Sequence, residues 1–438
     1  MNCRIRHCIF AFVFLCCLPL FVVSPGVTAA EEYSFDLDDF EKKPLEWGGH
    51  FELQWSGMDL NQDGALYKLE YFDDPRETLN RFSTTLQFDG SLQEENASFN
   101  WLLQVSASQD EIDYEETADF LEAYARFTPS PTMTLNIGKK NYKWGKGYAW
   151  NPASVIDRPK DPNNPEDALE GYTGFAVDLV KSFDGAMQTV ALTTAFIPVT
   201  DDLNDDFGET GKNFATKLYL LYKDTDIDFI WFNGDSRPQT FAVDFSKNLA
   251  TNFEIHAELA HTPEQKKKIL SDDGTVDIQE IADTSYLLGL RYLTESDITT
   301  IVEFYHNGDG YSQDEMDRFY QLATDAHDEF ADTGNKSALS QAKNLAQEGY
   351  GRSQSGKNYL YIKITQKEPF DLLYTTPGII ATVNLEDHSY TLSPEITYTG
   401  MTNWESRLRF TYLEGSRFSE YGEKQNETKV EMRIRYFF

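Results

Sequence analysis

Cysteine is absent from all but the first 17 residues of this 438-residue chain, where Cys3, Cys8, Cys16 and Cys17 stand. Beyond them there is no thiol. Disulfides, thiolate catalysis, zinc–thiolate sites and Cys-x-x-Cys-His haem attachment are excluded there, and a thiol-free chain suits an oxidising compartment. Long apolar runs are equally scarce. After Val23 none approaches the ~18 residues of a spanning helix, and the mean hydropathy is −0.50. Positive charge is also scarce: 38 Lys and Arg stand against 72 Asp and Glu, a formal net charge of −34. Nucleic acid is not expected as a partner of so acidic a chain. Past His7 the histidines are His50, His256, His261, His306, His327 and His388. None sits in a Gly-x-Ser-x-Gly or His-Glu-x-x-His frame, so no enzymatic activity is expected.

What is present begins with a basic start at Arg4 and Arg6. An apolar run from Ile9 to Val23 follows, then small residues at Thr28, Ala29 and Ala30, then Glu31 and Glu32. This order predicts a secretory signal over residues 1–30, cleaved after Ala29 or Ala30 and too short to anchor the chain as a spanning helix. Residues 31–44 read as a flexible acidic lead-in.

From residue 45 to 438 the dominant pattern is alternation. Phe99, Trp101, Leu103 and Val105 alternate with Asn100, Leu102, Gln104 and Ser106; Trp404, Ser406, Leu408 and Phe410 alternate with Glu405, Arg407 and Arg409. A period of two is the mark of a strand with two different faces. Such stretches fall near 45–56, 79–91, 97–109, 117–129, 131–141, 172–182, 186–198, 212–223, 225–234, 237–247, 250–261, 283–295, 297–307, 357–368, 377–385, 388–399, 402–415 and 427–438. With no helix able to cross lipid, repeated strands of this length predict an all-β chain, a transmembrane antiparallel β-barrel. About 18 strands are expected, or 16 if 369–399 is divided differently. Odd-numbered connections should then be the long extracellular ones: 57–78, 110–116, 142–171, 199–211, 262–282, 308–356 and 416–426, with connections nine and fifteen as short misfits. The even ones are mostly short, such as Asp224-Thr225 and Ser296-Asp297. Connection 308–356 is predicted to be partly helical, two short helices meeting near Gly334.

The chain closes on Val430, Met432, Ile434, Tyr436 and Phe438 along one face, with Glu431, Arg433 and Arg435 between them. This ending resembles that of bacterial outer-membrane β-barrels, whose last strand commonly ends in Phe. The resemblance implies a place in the cell outer membrane of a Gram-negative organism, against lipid and lipopolysaccharide. If the apolar faces meet lipid, Arg407, Arg409, Arg433 and Arg435 face the lumen on neighbouring strands. Glu405 and Glu431 share that face, as do Glu122, Arg126, Asp178, Asp228, Glu254, Glu258, Arg291, Glu303 and Lys363 elsewhere. A basic stripe inside an acidic shell would favour anionic solutes; the alternative is that these charges pair and fill the lumen.

Connection 142–171 is the most unusual segment. It opens Tyr142-Lys143-Trp144-Gly145-Lys146-Gly147-Tyr148-Ala149-Trp150-Asn151-Pro152 after the strand end Gly138-Lys139-Lys140, and continues through Arg158-Pro159-Lys160. A strand ending in Gly-Lys, then Trp-Gly-x-Gly and an Asn-Pro turn, resembles porin-like barrels, including those associated with alginate or other polysaccharide export. In such barrels a long loop folds inward and narrows the pore, which would make Lys143, Trp144, Lys146, Trp150, Arg158 and Lys160 pore-lining. The other reading is an outer loop held on the rim by its Trp side chains. The resemblance also carries the expectation of a homotrimer.

Asp59-Leu60-Asn61-Gln62-Asp63-Gly64 through Glu70 matches the fixed positions of a calcium-binding EF-hand loop. Asp59, Asn61, Asp63 and Glu70 would supply oxygens and Gly64 the turn. Strands rather than helices flank it, so a chance match in an acidic outer loop is the competing reading; no other cofactor is expected. The function expected from these features is an outer-membrane channel passing small polar or anionic solutes passively. The alternatives are a polysaccharide exporter, or a barrel sleeve or assembly protein for a periplasmic or electron-transfer partner.

Overall fold

The computed structural model describes residues 44–438. The predicted signal segment and nearly all of the acidic lead-in lie outside the described residues. In chain order the strands are β1 Leu45–Leu60, β2 Thr78–Glu94, β3 Ala97–Gln109, β4 Tyr114–Ser130, β5 Met133–Lys140, β6 Tyr172–Ser182, β7 Met187–Val199, β8 Gly211–Tyr222 and β9 Thr225–Gly234. They continue as β10 Thr240–Ala250, β11 Phe253–Leu270, β12 Val276–Leu293, β13 Ile298–His306, β14 Asn358–Gln366, β15 Thr375–Asn384, β16 Tyr390–Tyr398, β17 Trp404–Glu414 and β18 Asn426–Phe437. Each strand pairs antiparallel with its sequence neighbour, and β1 pairs with both β2 and β18. The sheet therefore has no free edge. It is a closed barrel of eighteen strands, with Glu52 opposite Arg435 and Leu53 opposite Ile434 at the closing seam.

Burial is inverted relative to a water-soluble sheet protein. On β17 Leu408 is 50% exposed while Arg409 is 5% exposed; on β18 Met432 is 47% exposed while Arg433 is 7% exposed. Phe229, Phe245 and Leu259 are exposed, and each adjoins a buried acid in sequence: Asp228, Asp244 and Glu258. An apolar outside and a charged inside are what lipid on one face and a polar lumen on the other demand. No helix among the described residues is long and apolar enough to cross a membrane.

Connection 110–116 shrinks to the turn 110–113 between β3 and β4, and the long connection 262–282 dissolves. β11 and β12 continue through it as an eighteen-residue-per-strand hairpin with only 271–275 left as a turn. A register shift between Thr262 and Gln265 marks where the hairpin leaves the regular wall. Past that point Lys266 pairs with Glu280 and Lys267 with Gln279, so polarity on both faces conceals strand structure that its backbone pairing maintains.

Connection 307–357 carries helices α2 Gln313–Thr333 and α3 Ser337–Leu345, and connection 61–77 carries the short α1 Ala65–Glu70. Ser312 caps α2: its hydroxyl accepts from the Glu315 N–H, and the Glu315 carboxylate takes the Ser312 N–H at 2.8 Å. This reciprocal pair satisfies two amides that a helix start leaves open. Gly334 ends the helix at φ +71°, a conformation glycine adopts without a Cβ penalty. Leu66, Leu69, Met316, Phe319, Leu339 and Tyr350 form one apolar core that ties the three helices together.

Candidate solute pathway

Connection 141–171 leaves β5, returns to β6, and in between enters the barrel. Three acidic groups anchor its first half. Within the loop, the buried Asp157 carboxylate accepts the backbone N–H of Tyr142 at 2.7 Å and of Trp144 at 2.8 Å, and the Ser154 hydroxyl at 2.7 Å. From the wall, Glu258 on β11 accepts the N–H of Lys146, of Gly147 at 2.6 Å and of Ala153 at 2.9 Å, and the Asn151 side-chain amide at 3.0 Å. Glu303 on β13 accepts the N–H of Tyr148 and of Ala149, the latter at 2.8 Å, with His256 Nε2 also 2.8 Å away. Glycine makes this possible. Gly145 holds φ +89°, and the Gly145-to-Gly147 backbone lies against the carboxylate where side chains would intervene. Across the wall, Gly289 leaves the space that the His256 ring occupies.

The loop folds inward, but the residues expected to line a constriction are mostly its fastenings. Trp144 is buried among Ala153, Ile156, Tyr172 and Ala176. Trp150 is buried too, stacked on Tyr305 with centroids 5.1 Å apart and flanked by Tyr359 and Tyr361. Both are apolar anchors, because a large ring removed from water holds a loop more firmly than a surface contact. Lys160 donates to the Gly147 carbonyl at 2.8 Å, tying the second half of the loop to the first. Burial pushes its ammonium down, and nearby Glu258, Glu303 and Asp157 only partly offset this. Arg158 pairs with Glu170 at 2.9 Å and with Asp206, and its guanidinium lies over the Tyr172 ring. Lys146 is the exception that bridges loop and wall by charge. Its ammonium lies 2.9 Å from Asp228 on β9 and 3.7 Å from Asp244 on β10. Burial opposes its charge, but those two carboxylates prevail and hold it above the ordinary lysine range. Lys143 is exposed.

The far end of the loop reaches the opposite wall. Asn164 Oδ1 accepts from Arg407 at 3.1 Å and from Arg409 at 3.0 Å. Asp167 lies 3.3 Å from Arg435 and 3.9 Å from Arg433, and Glu166 lies 3.3 Å from Lys363 on β14. β14 stands half-way round the barrel from β5, so the segment crosses the full lumen. The four arginines lie on the inner face. They are also paired along the wall: Arg407 with Glu431 at 2.6 Å, Arg409 with Glu395 at 2.6 Å, Arg433 with Glu405 at 3.3 Å, and Arg435 with Glu52. Facing the lumen and pairing within it are therefore compatible for these charges. Asn164, Glu166, Asp167 and the second wall acid Asp244 are the members that the sequence pattern alone did not single out.

The four residues of the calcium pattern are not gathered. Asp59 lies within β1, where its carboxylate accepts from the Thr428 hydroxyl at 2.7 Å. The Asn61 amide donates to the Gly422 carbonyl at 2.7 Å. Residues 65–70 coil into α1 and bury Leu66 and Leu69. Among the described residues no group of three or more acidic, His or Cys side chains is placed to hold a metal ion.

No family model and no curated protein matches the chain. Solved structures do. Pseudomonas aeruginosa OpdQ aligns over 91% of this chain and 99% of its own at 10% identity, with a TM-score of 0.54. Pseudomonas aeruginosa OccK11 (OpdR) aligns over 90% and 96% at 9% identity and 0.52. Acinetobacter baumannii OccAB1 aligns over 90% and 96% at 8% identity and 0.51. These are outer-membrane porins, and what the present chain shares with them is the fold, a closed barrel of full length.

Proposed function

We propose that the protein is an outer-membrane channel for the passive passage of small polar solutes, with a preference for anions. The observation that carries this reading is the lumen itself. A charged interior is enclosed by an apolar exterior, and a loop crosses the interior rather than sealing the rim. Four arginines on β17 and β18 set guanidiniums on the inner face, each beside a wall carboxylate, and an anionic solute can exchange into that pairing where a neutral one cannot. The outer face meets lipid, with lipopolysaccharide on its outer-leaflet side. A sleeve around a protein partner is disfavoured, because the chain's own loop occupies the space such a partner would need.

The test is conductance. The purified mature barrel, placed in a planar bilayer under a KCl gradient, should give steady conductance with a reversal potential on the anion side. Arg433→Ala should shift that potential toward the cation side. A folded, heat-modifiable barrel that conducts nothing would refute the channel.

A further inference from the structure

The crossing loop is held in two very different ways. Its stem, up to Lys160, is fixed by buried carboxylates and two buried Trp rings. Its tip is held by side-chain contacts alone: those of Asn164 are part-buried, while the Asp167 side chain is 50% exposed and that of Glu166 87%. Exposed ion pairs are weak and easily exchanged. The wall beneath the tip is different again. Arg407 and Arg433 are more than nine-tenths buried, yet Arg407 Nε and Arg433 Nε make no hydrogen bond. Buried guanidinium donors normally find acceptors. Arg433 Nε has only Glu52 at 3.7 Å, beyond hydrogen-bond distance, and Arg407 Nε has no acceptor among the described residues, while the loop tip rests on the same guanidiniums.

We propose that Asn164, Glu166 and Asp167 form a displaceable internal ligand on the arginine stripe, and that an anionic solute opens the path by taking their place. The inference rests on the channel reading above and adds regulation to it. A carboxylate solute offers two oxygens to a planar guanidinium. It can satisfy the idle Nε donors as well as those that Asn164 and Asp167 engage, so it competes from an advantage. Because the stem stays anchored, displacement moves the tip alone and the loop returns when the solute leaves. The cargo is then its own opener, and neutral solutes of the same size meet a closed tip.

Single-channel recording of the mature barrel tests this. Succinate titrated at fixed ionic strength should raise the open fraction, with succinamide as the neutral control of matched shape. The triple variant Asn164→Ala, Glu166→Gln, Asp167→Asn weakens or removes the five tip contacts and should be about tenfold more open without succinate, and should respond little to it. A double variant, Glu166→Cys with Lys363→Cys joined by a short bis-maleimide, should hold the low state in succinate; the mature chain has no competing thiol. A wild-type channel that conducts but ignores succinate, with a triple variant of unchanged open fraction, would overturn the latch and leave the channel standing. Silence from wild type, triple variant and a variant lacking residues 161–168 alike would overturn both.

Discussion

Glu258→Ala is the sharpest probe of how the loop is held. The carboxylate is buried and accepts four donors, three of them backbone amides of Lys146, Gly147 and Ala153 and one the Asn151 side chain. A hydrogen bond to a charged acceptor contributes about 1.5–3 kcal/mol. Taking the lower value, and allowing lumen water to recover half of it by rehydrating the freed amides, the stem loses about 3 kcal/mol, or roughly a hundredfold in its seated population. The strand itself loses no backbone pairing, because Glu258 faces inward and β11 keeps its partners in β10 and β12. The variant should therefore fold, show unchanged heat-modifiable migration, and conduct with larger, noisier single-channel steps than wild type. Glu258→Gln should lie between them. It keeps one carbonyl oxygen for some of the donors, but loses the charge and must turn an amide toward another N–H. Steps of unchanged size and noise in both variants would refute the idea that this carboxylate seats the loop.

Trp150→Ala, which empties a buried aromatic site beside Tyr305 and Tyr361, should cost about 3 kcal/mol and expose the 145–155 stretch to protease in the folded barrel. Gly289→Ala places a methyl carbon 2.0 Å from His256 Nε2, forcing the ring off Glu303; channel noise should rise, though less than for Glu258→Ala. The outer helices carry a pH signature. Burial raises the Glu315 carboxyl, but the Ser312 N–H and the Lys267 ammonium outweigh it and hold the group below its ordinary range. A carboxyl depressed in the folded state stabilises above its unfolded pKa, about 4.3, and that contribution fades as pH falls through the lower folded value. Hydrogen-exchange protection at the start of α2, with the intrinsic pH dependence of exchange divided out, should thus be high at pH 6 and fall below about pH 4, and Ser312→Ala, costing about 1 kcal/mol, should lower it at both.

Most of the wall was legible because two unlike solvents impose a period of two on every strand. β3, β6 and β9 begin and end where the alternation does. It fails on β11 and β12 beyond Thr262, where Lys267 and Leu270 face the outer helices instead of lipid or lumen and Lys266, Lys267 and Lys268 read as loop. The inward loop was legible from its Trp, Gly and Lys content against an acidic background. The work of those residues was not, because their partners are remote: Glu258 stands 111 residues from Gly147 and Glu303 stands 154 from Ala149. Local spacing says nothing about such distances. Within the Asp59-to-Glu70 pattern, Leu66 and Leu69 join the core of the outer helices and residues 65–70 are helical, which local spacing did not announce.

The two charged walls are satisfied by different chemistry, and this difference separates scaffold from working surface. Glu258 and Glu303 are met mainly by backbone amides, which cannot leave without unseating the loop and whose removal strands buried donors at a cost of about 1–3 kcal/mol each. The arginines across the lumen are met by carboxylates and a side-chain amide, some of them on the wall and some on an exposed tip. Only the tip contacts can be exchanged for a solute without disturbing a strand or the stem. The acidic wall is therefore the fixed part of the lumen. On the channel reading proposed above, the surface left for a passing solute is the basic one, at Arg407, Arg409, Arg433 and Arg435, and it is there that changes in charge should alter selectivity while leaving the barrel folded.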